Sequence, residues 1–503
     1  MIRERFMNFL FRSIAKTAEQ KLCSALTRGG FIIEWKEKQT NTLLYKGEIG
    51  MKELTYEKHQ ARYIGQDMME YCAAAKFEDL PAEVVTRAKH IVMDDIACTL
   101  AGAKTRHMFE NGLEYLAERT PGVIAPLGCT VKTRASMAAF LNAFHAQTHD
   151  FNDGLNNSGM LGGAYHPSRT VVSVALAVGE ELHSSGKDIL LAVVLGVEAA
   201  ARMRNPSQKN FVADTYSAAV TAAKLMGADA KQMRAACALA AYTGPETVGK
   251  KLEYTAKDAG HKAAGPTCNP LAYAYIARSG IEAAEMAMLG FEGPVIDDNN
   301  AIASRYYTCG LGKDFQCMDM YFKPWPCCRK THGAIDAALS LRNEHGIKAE
   351  DIKKIDIYQQ TTGMYVNTPI AADMDINFGG QFSLQYTVTC VFLDGNVELK
   401  HYRWPDRKAP QRYVDFAKKI TVHPDNGLDG YNAISPNHGI VEVELNDGRV
   451  FSMYCKYPLG SEPNALTEAQ RIEKLRLCAE DLTEAQKDEL INRILTLDQL
   501  EAM

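Results

Sequence analysis

The feature that most constrains this fold is a change of hydrophobic period near residue 314. From Tyr56 to about Ile302, apolar residues recur at helical spacing, punctuated by Gly and Pro. Leu80-Pro81-Ala82-Glu83 puts a proline at the opening of a helix, and the apolar run through Ile91, Ile96 and Leu100 ends at Gly102. Ser185-Gly186-Lys187-Asp188 has the form of a capping box with Asp as the reciprocal residue. Ala-rich helical segments follow at Ser217–Leu225 and Ala228–Ala241, each closed by Gly. After Asp314 the character changes. Lys354–Gln359 alternates as a strand, and Gly439–Leu445 with Arg449–Tyr454 forms a hairpin pattern across Asn446-Asp447-Gly448. Helical patterns at Thr331–Asn343 and Pro410–Lys419 lie among these strands. Thr467–Leu477 and Thr483–Leu495 return to helix after the Pro458–Pro463 loop. The expectation is a mainly α chain with a smaller α+β domain: residues 51–314 helical, 315–455 α+β, and 456–503 packing back on the helical part.

Composition narrows the function classes. A net charge of −5, with no basic run carrying interleaved aromatics, argues against a nucleic-acid surface. The richest apolar stretch, Ile189–Ala201, falls short of a membrane span and contains Glu198, so it reads as a buried helix. Thirteen cysteines, scattered singly except for Cys327-Cys328 and with no CxxC, fit reduced thiols in the cytoplasm. There is no P-loop, GxSxG, HExxH or strand-following GxGxxG.

Residues 1–50 differ from the rest. Arg3, Arg5, Arg12, Lys16, Lys21 and Arg28 make them basic, with short apolar bursts such as Phe6–Phe11. Three readings fit: a presequence, a peripheral helix, or an untranslated stretch ahead of a working start at Met51. The third is favoured. The codons for Lys46-Gly47-Glu48 can spell a ribosome-binding sequence, and composition changes at the same place.

Chemistry concentrates between Thr148 and Ser168. Asp150 and Asp153 lie three apart, a Gly-rich loop follows, and His166 directly precedes Pro167, where a long apolar helix begins. A base candidate at a helix N-terminus beside carboxylates suits proton abstraction next to a carboxylate, and the helix's positive end favours neutral imidazole and an anionic substrate. The alternative is a polar loop with a capping histidine. His145, His149 and Asp153 at i, i+4 and i+8 offer one helix face to a metal, but no suitable fourth ligand is near, and no metal is expected. A second cluster, Lys323-Pro-Trp-Pro-Cys-Cys-Arg-Lys-Thr-His332, sets Lys323, Arg329 and Lys330 ahead of a helix starting near Thr331. Cations at a helix N-terminus suit carboxylates; the bland alternative is a solvated turn. Tyr386, in Gln381-Phe-Ser-Leu-Gln-Tyr386, leads an apolar helix or strand. It reads as a proton donor or as a core tyrosine with its hydroxyl satisfied.

Taken together these clusters resemble the MmgE/PrpD family. The resemblance runs from Met51 to the C-terminus and rests on separated motifs in order: LPAEVVTRAKHIVMDDIACTLAGA (80–103), DFNDG (150–154), HPS (166–168), GVEAAARM (196–203), GIEAAEMAMLGFEGP (280–294), KPWPCCRKTH (323–332), QFSLQYTV (381–388) and YPLGSEPNALTEAQRIEKL (457–475). It implies a large helical domain capped by an α+β lid, a homodimer, no cofactor, and a small di- or tricarboxylate substrate. It also implies an acid/base pair, Asp150 and His166, with Lys323 and Tyr386 reaching the substrate from the lid. Asp153, Arg329, His332 and Asn269 join them as substrate-binding positions. The activities it brings are dehydration of the 2-methylcitrate type first, then decarboxylation or epimerisation, or silent carboxylate binding. The chain departs from the pattern in places. Asn269 stands where many members carry a lysine, with Lys257–Ala264 partly mimicking the missing run. A histidine that the decarboxylase presents near 208–214 has no match, and the loop from DFNDG to HPS is longer.

Overall fold

The computed structural model describes residues 42–47, 50–55, 66–105, 112–155, 166–203, 211–244, 268–293, 310–359, 366, 369–370, 374–424 and 438–502. The chain divides into two compact units. One comprises Met1–Gln60 with Gly427–Pro436, and its described part is a hairpin of Thr42–Gly47 (β1) and Gly50–Thr55 (β2), with Lys46 opposite Met51. Residues 1–41, the rest of the basic stretch, lie outside the described residues, as do the long loop at 156–165 and Lys257–Ala264.

The other unit, Ala61–Asn426 with Asn437–Met503, carries the candidate site. Its first part is helical: Gln66–Ala74 (α1), Ala82–Lys104 (α2), Gly112–Glu118 (α3), Ala135–Gln147 (α4), Ser168–Glu181 (α5), Gly186–Arg202 (α6), Phe211–Leu225 (α7), Ala230–Thr243 (α8) and Cys268–Met288 (α9). Helix α6 starts on the expected capping box. The Ser185 hydroxyl accepts from the Asp188 N–H and the Asp188 carboxylate accepts from the Ser185 N–H, both at 3.2 Å. Ile189–Ala201 is buried within this helix, and no described helix is long and apolar enough to cross a membrane.

Gly102 behaves differently from its expected role as a helix terminus, because α2 continues through it to Lys104. A Cβ at this position would lie 2.0 Å from the His145 carbonyl oxygen. The glycine lets α4 lie directly against α2. Small residues do the same between α7 and α9, where a Cβ on Gly280 would sit 2.4 Å from that of Ala218.

The sheet-bearing part has four strands, Ile352–Gln359 (β6), Ile420–Pro424 (β7), Gly439–Leu445 (β8) and Val450–Cys455 (β9), in the order β7-β6-β8-β9. Strand β6 runs parallel to β7 and antiparallel to β8, which turns into β9 through the expected hairpin. Burial alternates along β8, so Val441 and Val443 face the core opposite Ile357 and Ile355. Helices His332–His345 (α10), Ile376–Gly379 (α11), Leu384–Asp394 (α12) and Gln411–Ala417 (α13) accompany the sheet. Leu341, Val388 and Val391 fill the same core as these strands. The segment 381–388 is helical from Leu384, started by the Ser383 hydroxyl accepting from the Tyr386 N–H at 3.2 Å.

Three short strands remain: Pro121–Ile124 (β3) makes antiparallel bridges to Thr133, and Gly154–Leu155 (β4) pairs antiparallel with Met320–Tyr321 (β5), joining the site segments. The chain ends with Glu468–Cys478 (α14) and Glu484–Leu495 (α15), each opened by a Thr/Gln capping box. Helix α14 packs on α2, and Leu475, Cys478, Ile491 and Ile494 share one core with Ile91, Ile96 and Val193.

Candidate active site

Helix α4 stops at Gln147, and the chain turns sharply at Asp150, whose φ is +44°. A left-handed backbone costs a non-glycine residue on the order of 1–2 kcal/mol, and Asp tolerates it better than most. Several contacts hold it there. The buried Lys323 ammonium lies 2.5 Å from the Asp150 carbonyl oxygen and 3.1 Å from its Oδ1. Gln381 donates from Nε2 to the Thr148 carbonyl at 3.1 Å. From the other side, Asp94 Oδ2 accepts the Asp153 N–H at 2.9 Å. Lys474 Nζ donates to Asp94 Oδ1 at 2.6 Å and to the Phe151 carbonyl at 2.8 Å. The 148–155 turn is thus gripped by the sheet-bearing part above and by α2 and α14 below.

This turn fixes His166. Its Nδ1 is hydrogen-bonded to the Asp153 carbonyl oxygen, which has no proton to give, so Nδ1 carries the hydrogen and the lone pair sits on Nε2. Burial pushes the imidazole well below its ordinary pKa, and the positive charges of Lys323 and Arg169 push it further. The His166 imidazole is therefore neutral at physiological pH. Pro167 directly follows as the cap residue of α5, as the sequence suggests.

Beneath the turn lies a cluster of buried acids. Asp153 accepts from the Ser168 hydroxyl at 2.5 Å, and burial together with Asp94 and Asp95 raises its pKa well above the usual range. Burial, then Asp94, lifts Asp95 to about 8. Carboxyl groups this close, out of water, retain protons that solvent-exposed ones lose.

The remaining sequence candidates are placed as follows. Arg329 is fully buried and donates to the Leu459 carbonyl at 3.0 Å, to the Ser461 hydroxyl at 2.5 Å and toward His332 Nδ1 at 3.2 Å. The other nitrogen of His332 faces the Cys327 carbonyl at 3.3 Å. Both residues brace the loop around Lys323. Tyr386 donates its hydroxyl to the His401 carbonyl at 2.6 Å and accepts from Trp404 Nε1 at 2.9 Å, within the core of the sheet-bearing part. Asn269 lies in the first turn of α9, and its side chain is outside the described residues, as is most of 208–214. His145, His149 and Asp153 do not share a helix face, because α4 ends before His149. His149 instead pairs with the Thr105 hydroxyl at 2.6 Å.

The structure adds residues that the sequence reading passed over: Gln381, Asp94, Asp95, Lys474 and Tyr321. Tyr321 carried a legible signal, since in an extended chain a residue two before Lys323 shares its face. Lys474 carried none; a lysine in a C-terminal helix reads as surface until the partner 380 residues away is seen.

Two family models cover most of the chain. The MmgE/PrpD N-terminal domain matches residues 66–299 and the MmgE/PrpD C-terminal domain matches 325–499. Among curated relatives, cis-aconitate decarboxylase of Homo sapiens is 25% identical over 462 residues, 85% of this chain and 90% of that protein. Cis-aconitate decarboxylase of Aspergillus terreus is 23% identical over 455 residues, covering 84% and 91%. The cis-aconitate decarboxylase-like protein oryM of Aspergillus oryzae is 22% identical over 488 residues, covering 86% and 94%. With both halves matched in order, the chain belongs to the MmgE/PrpD family.

Proposed function

We propose that this chain is a lyase that removes a proton next to a carboxylate of a small tricarboxylic acid, with His166 as the base. The observation that carries the reading is the tautomer of His166. With Nδ1–H committed to the Asp153 carbonyl and the ring held neutral, Nε2 is a ready acceptor beside a buried cation, Lys323. Abstraction leaves negative charge on the carboxylate oxygens, and an ammonium in a water-poor site stabilises that charge far better than water would. Asp150 holds Lys323 in place and is the acid/base partner in the proposal, while the sheet-bearing part caps the site and delivers Lys323. Tyr386, Arg329 and His332 position that cap: Tyr386 bonds the His401 carbonyl, His332 faces the Cys327 carbonyl, and the terminal nitrogens of Arg329 reach His332, Leu459 and Ser461.

Dehydration is the first reading, because DFND followed by HPS resembles the dehydratase pattern. In it the carbon–hydrogen electrons form the new double bond as hydroxide leaves and takes a proton to become water. Decarboxylation is the second, favoured by relatives named cis-aconitate decarboxylase at 22–25% identity. There the carbon–carboxylate bond breaks, its electron pair stays with the carbon framework as carbon dioxide leaves, and carbon takes up a proton from solvent. Incubating the purified chain with 2-methylcitrate, citrate and cis-aconitate, and identifying products by proton NMR, separates them. An alkene formed with loss of water supports dehydration. Carbon dioxide release from cis-aconitate supports decarboxylation. No turnover of any tricarboxylate refutes the proposal.

A further inference from the structure

We infer that the Tyr321 hydroxyl binds substrate directly, donating a hydrogen bond to a carboxylate oxygen on the carbon that exchanges its proton with His166. The inference rests on the reading of His166 as the base, and it starts from an orphaned polar atom. Tyr321 is 2% exposed, and its Oη has no hydrogen-bond partner. A buried hydroxyl left unpaired costs about 1–3 kcal/mol, and a ligand that satisfies it recovers that cost.

Its placement points to that ligand. Tyr321 on β5 stands opposite Gly154 on β4, its ring edge-on to His166 with centroids 6.2 Å apart. A Cβ on Gly154 would lie 2.6 Å from Tyr321 Oη and 2.9 Å from His166 Nδ1. Both groups pack against the one backbone position that has no side chain, the phenol hydroxyl on the Nδ1 side of the imidazole.

The surroundings hold the phenol as a donor. The Arg329 guanidinium packs over the ring at 4.7 Å, while two of its nitrogens are tied to Leu459, Ser461 and His332. Arg329 therefore fixes the ring and adds positive potential, and the Tyr321 hydroxyl and Arg329 Nε are the two polar atoms of this pair left without a partner. Burial, reinforced by Asp150, raises the phenol's pKa and keeps it protonated. Lys323 is already paired with Asp150, so a substrate with three carboxylates needs further donors, and Tyr321 sits two residues from it on an extended segment.

The experiment compares Tyr321→Phe, Gly154→Ala and His166→Asn with wild type, reading thermal melts and kcat/KM on the tricarboxylate turned over. Binding of the saturated analogue tricarballylate is measured alongside. Tyr321→Phe keeps the ring under Arg329 and removes an atom that bonds nothing, so its unliganded melting temperature is expected to match or exceed wild type. Its kcat/KM is expected to fall about 10- to 100-fold, with weaker tricarballylate binding. Gly154→Ala is expected to lose activity by displacing the hydroxyl from His166. If His166→Asn is inactive while Tyr321→Phe keeps wild-type kcat/KM, this inference is overturned and the functional proposal stands. A Tyr321→Phe that only melts lower, with kcat/KM unchanged, reveals a packing role and overturns it too. If wild type neither turns over nor binds any tricarboxylate, the functional proposal fails and takes this inference with it.

Discussion

A histidine whose Nδ1–H is held by a backbone carbonyl, and whose pKa is depressed by burial and two nearby cations, has no charge to lose between pH 6 and 8. The rising limb of kcat/KM with pH should therefore lie well below the ordinary imidazole value of 6.5. Initial rates across pH 4.5–8 check this, and a limb centred at or above 6.5 would count against it. Lys323 and Asp150 form a buried ion pair, so removing one partner strands the other. Lys323→Met should destabilise the fold by about 3–5 kcal/mol, and adding Asp150→Asn should recover part of that without restoring turnover. Denaturant melts with rate measurements distinguish the two effects. Asp150, His166 and Lys323 stood out in the sequence because polar residues at the edges of apolar helices are conspicuous. Their mutual arrangement was not legible, since Lys323 meets Asp150 across 173 residues. Tyr386 shows the opposite case: its local pattern fits a satisfied core tyrosine as well as a donor, and its hydroxyl is engaged by His401 and Trp404.

At the scale of elements, α14 supports the 148–155 turn. Lys474 is 5% exposed and joins Asp94 on α2 to the Phe151 carbonyl. Lys474→Met should cost stability on the order of 3–5 kcal/mol and lower kcat more than it raises KM, because the turn loses its anchor while Lys323 remains. Equal loss of stability with unchanged kcat would deny α14 that role. Asp95 on α2 gives a pH signature. Its folded pKa, near 8, lies above the ordinary 3.8, so the folded state holds the proton more tightly than the unfolded chain. Its contribution is fully present below about pH 4 and is lost as pH rises toward 8. Asp95→Asn should flatten the decline in melting temperature across pH 5–8.5; an unchanged slope would contradict it. The capping box at Ser185 made its helix readable, because capping is local chemistry. Gly102 was misread for the complementary reason: a glycine that admits a neighbouring helix looks the same in sequence as one that ends a helix.

For the molecule as a whole, the change from helical to alternating period gave the mainly α class with its small sheet, since both periods follow directly from backbone geometry. The meeting of the two parts at residues 148–155 was beyond the sequence. It depends on single long-range contacts from Lys323, Gln381 and Lys474 that leave no periodic trace. The family supplies the frame, and the geometry supplies a neutral imidazole and a buried cation. The central claim is that His166 moves a proton at carbon next to a carboxylate. The most direct measurement is proton NMR in D₂O of wild type and His166→Asn, each with cis-aconitate, citrate and 2-methylcitrate. Deuterium entering substrate or product carbon in wild type, and reduced about 100- to 10,000-fold in His166→Asn, is the expected result. Equal exchange in both proteins would contradict it.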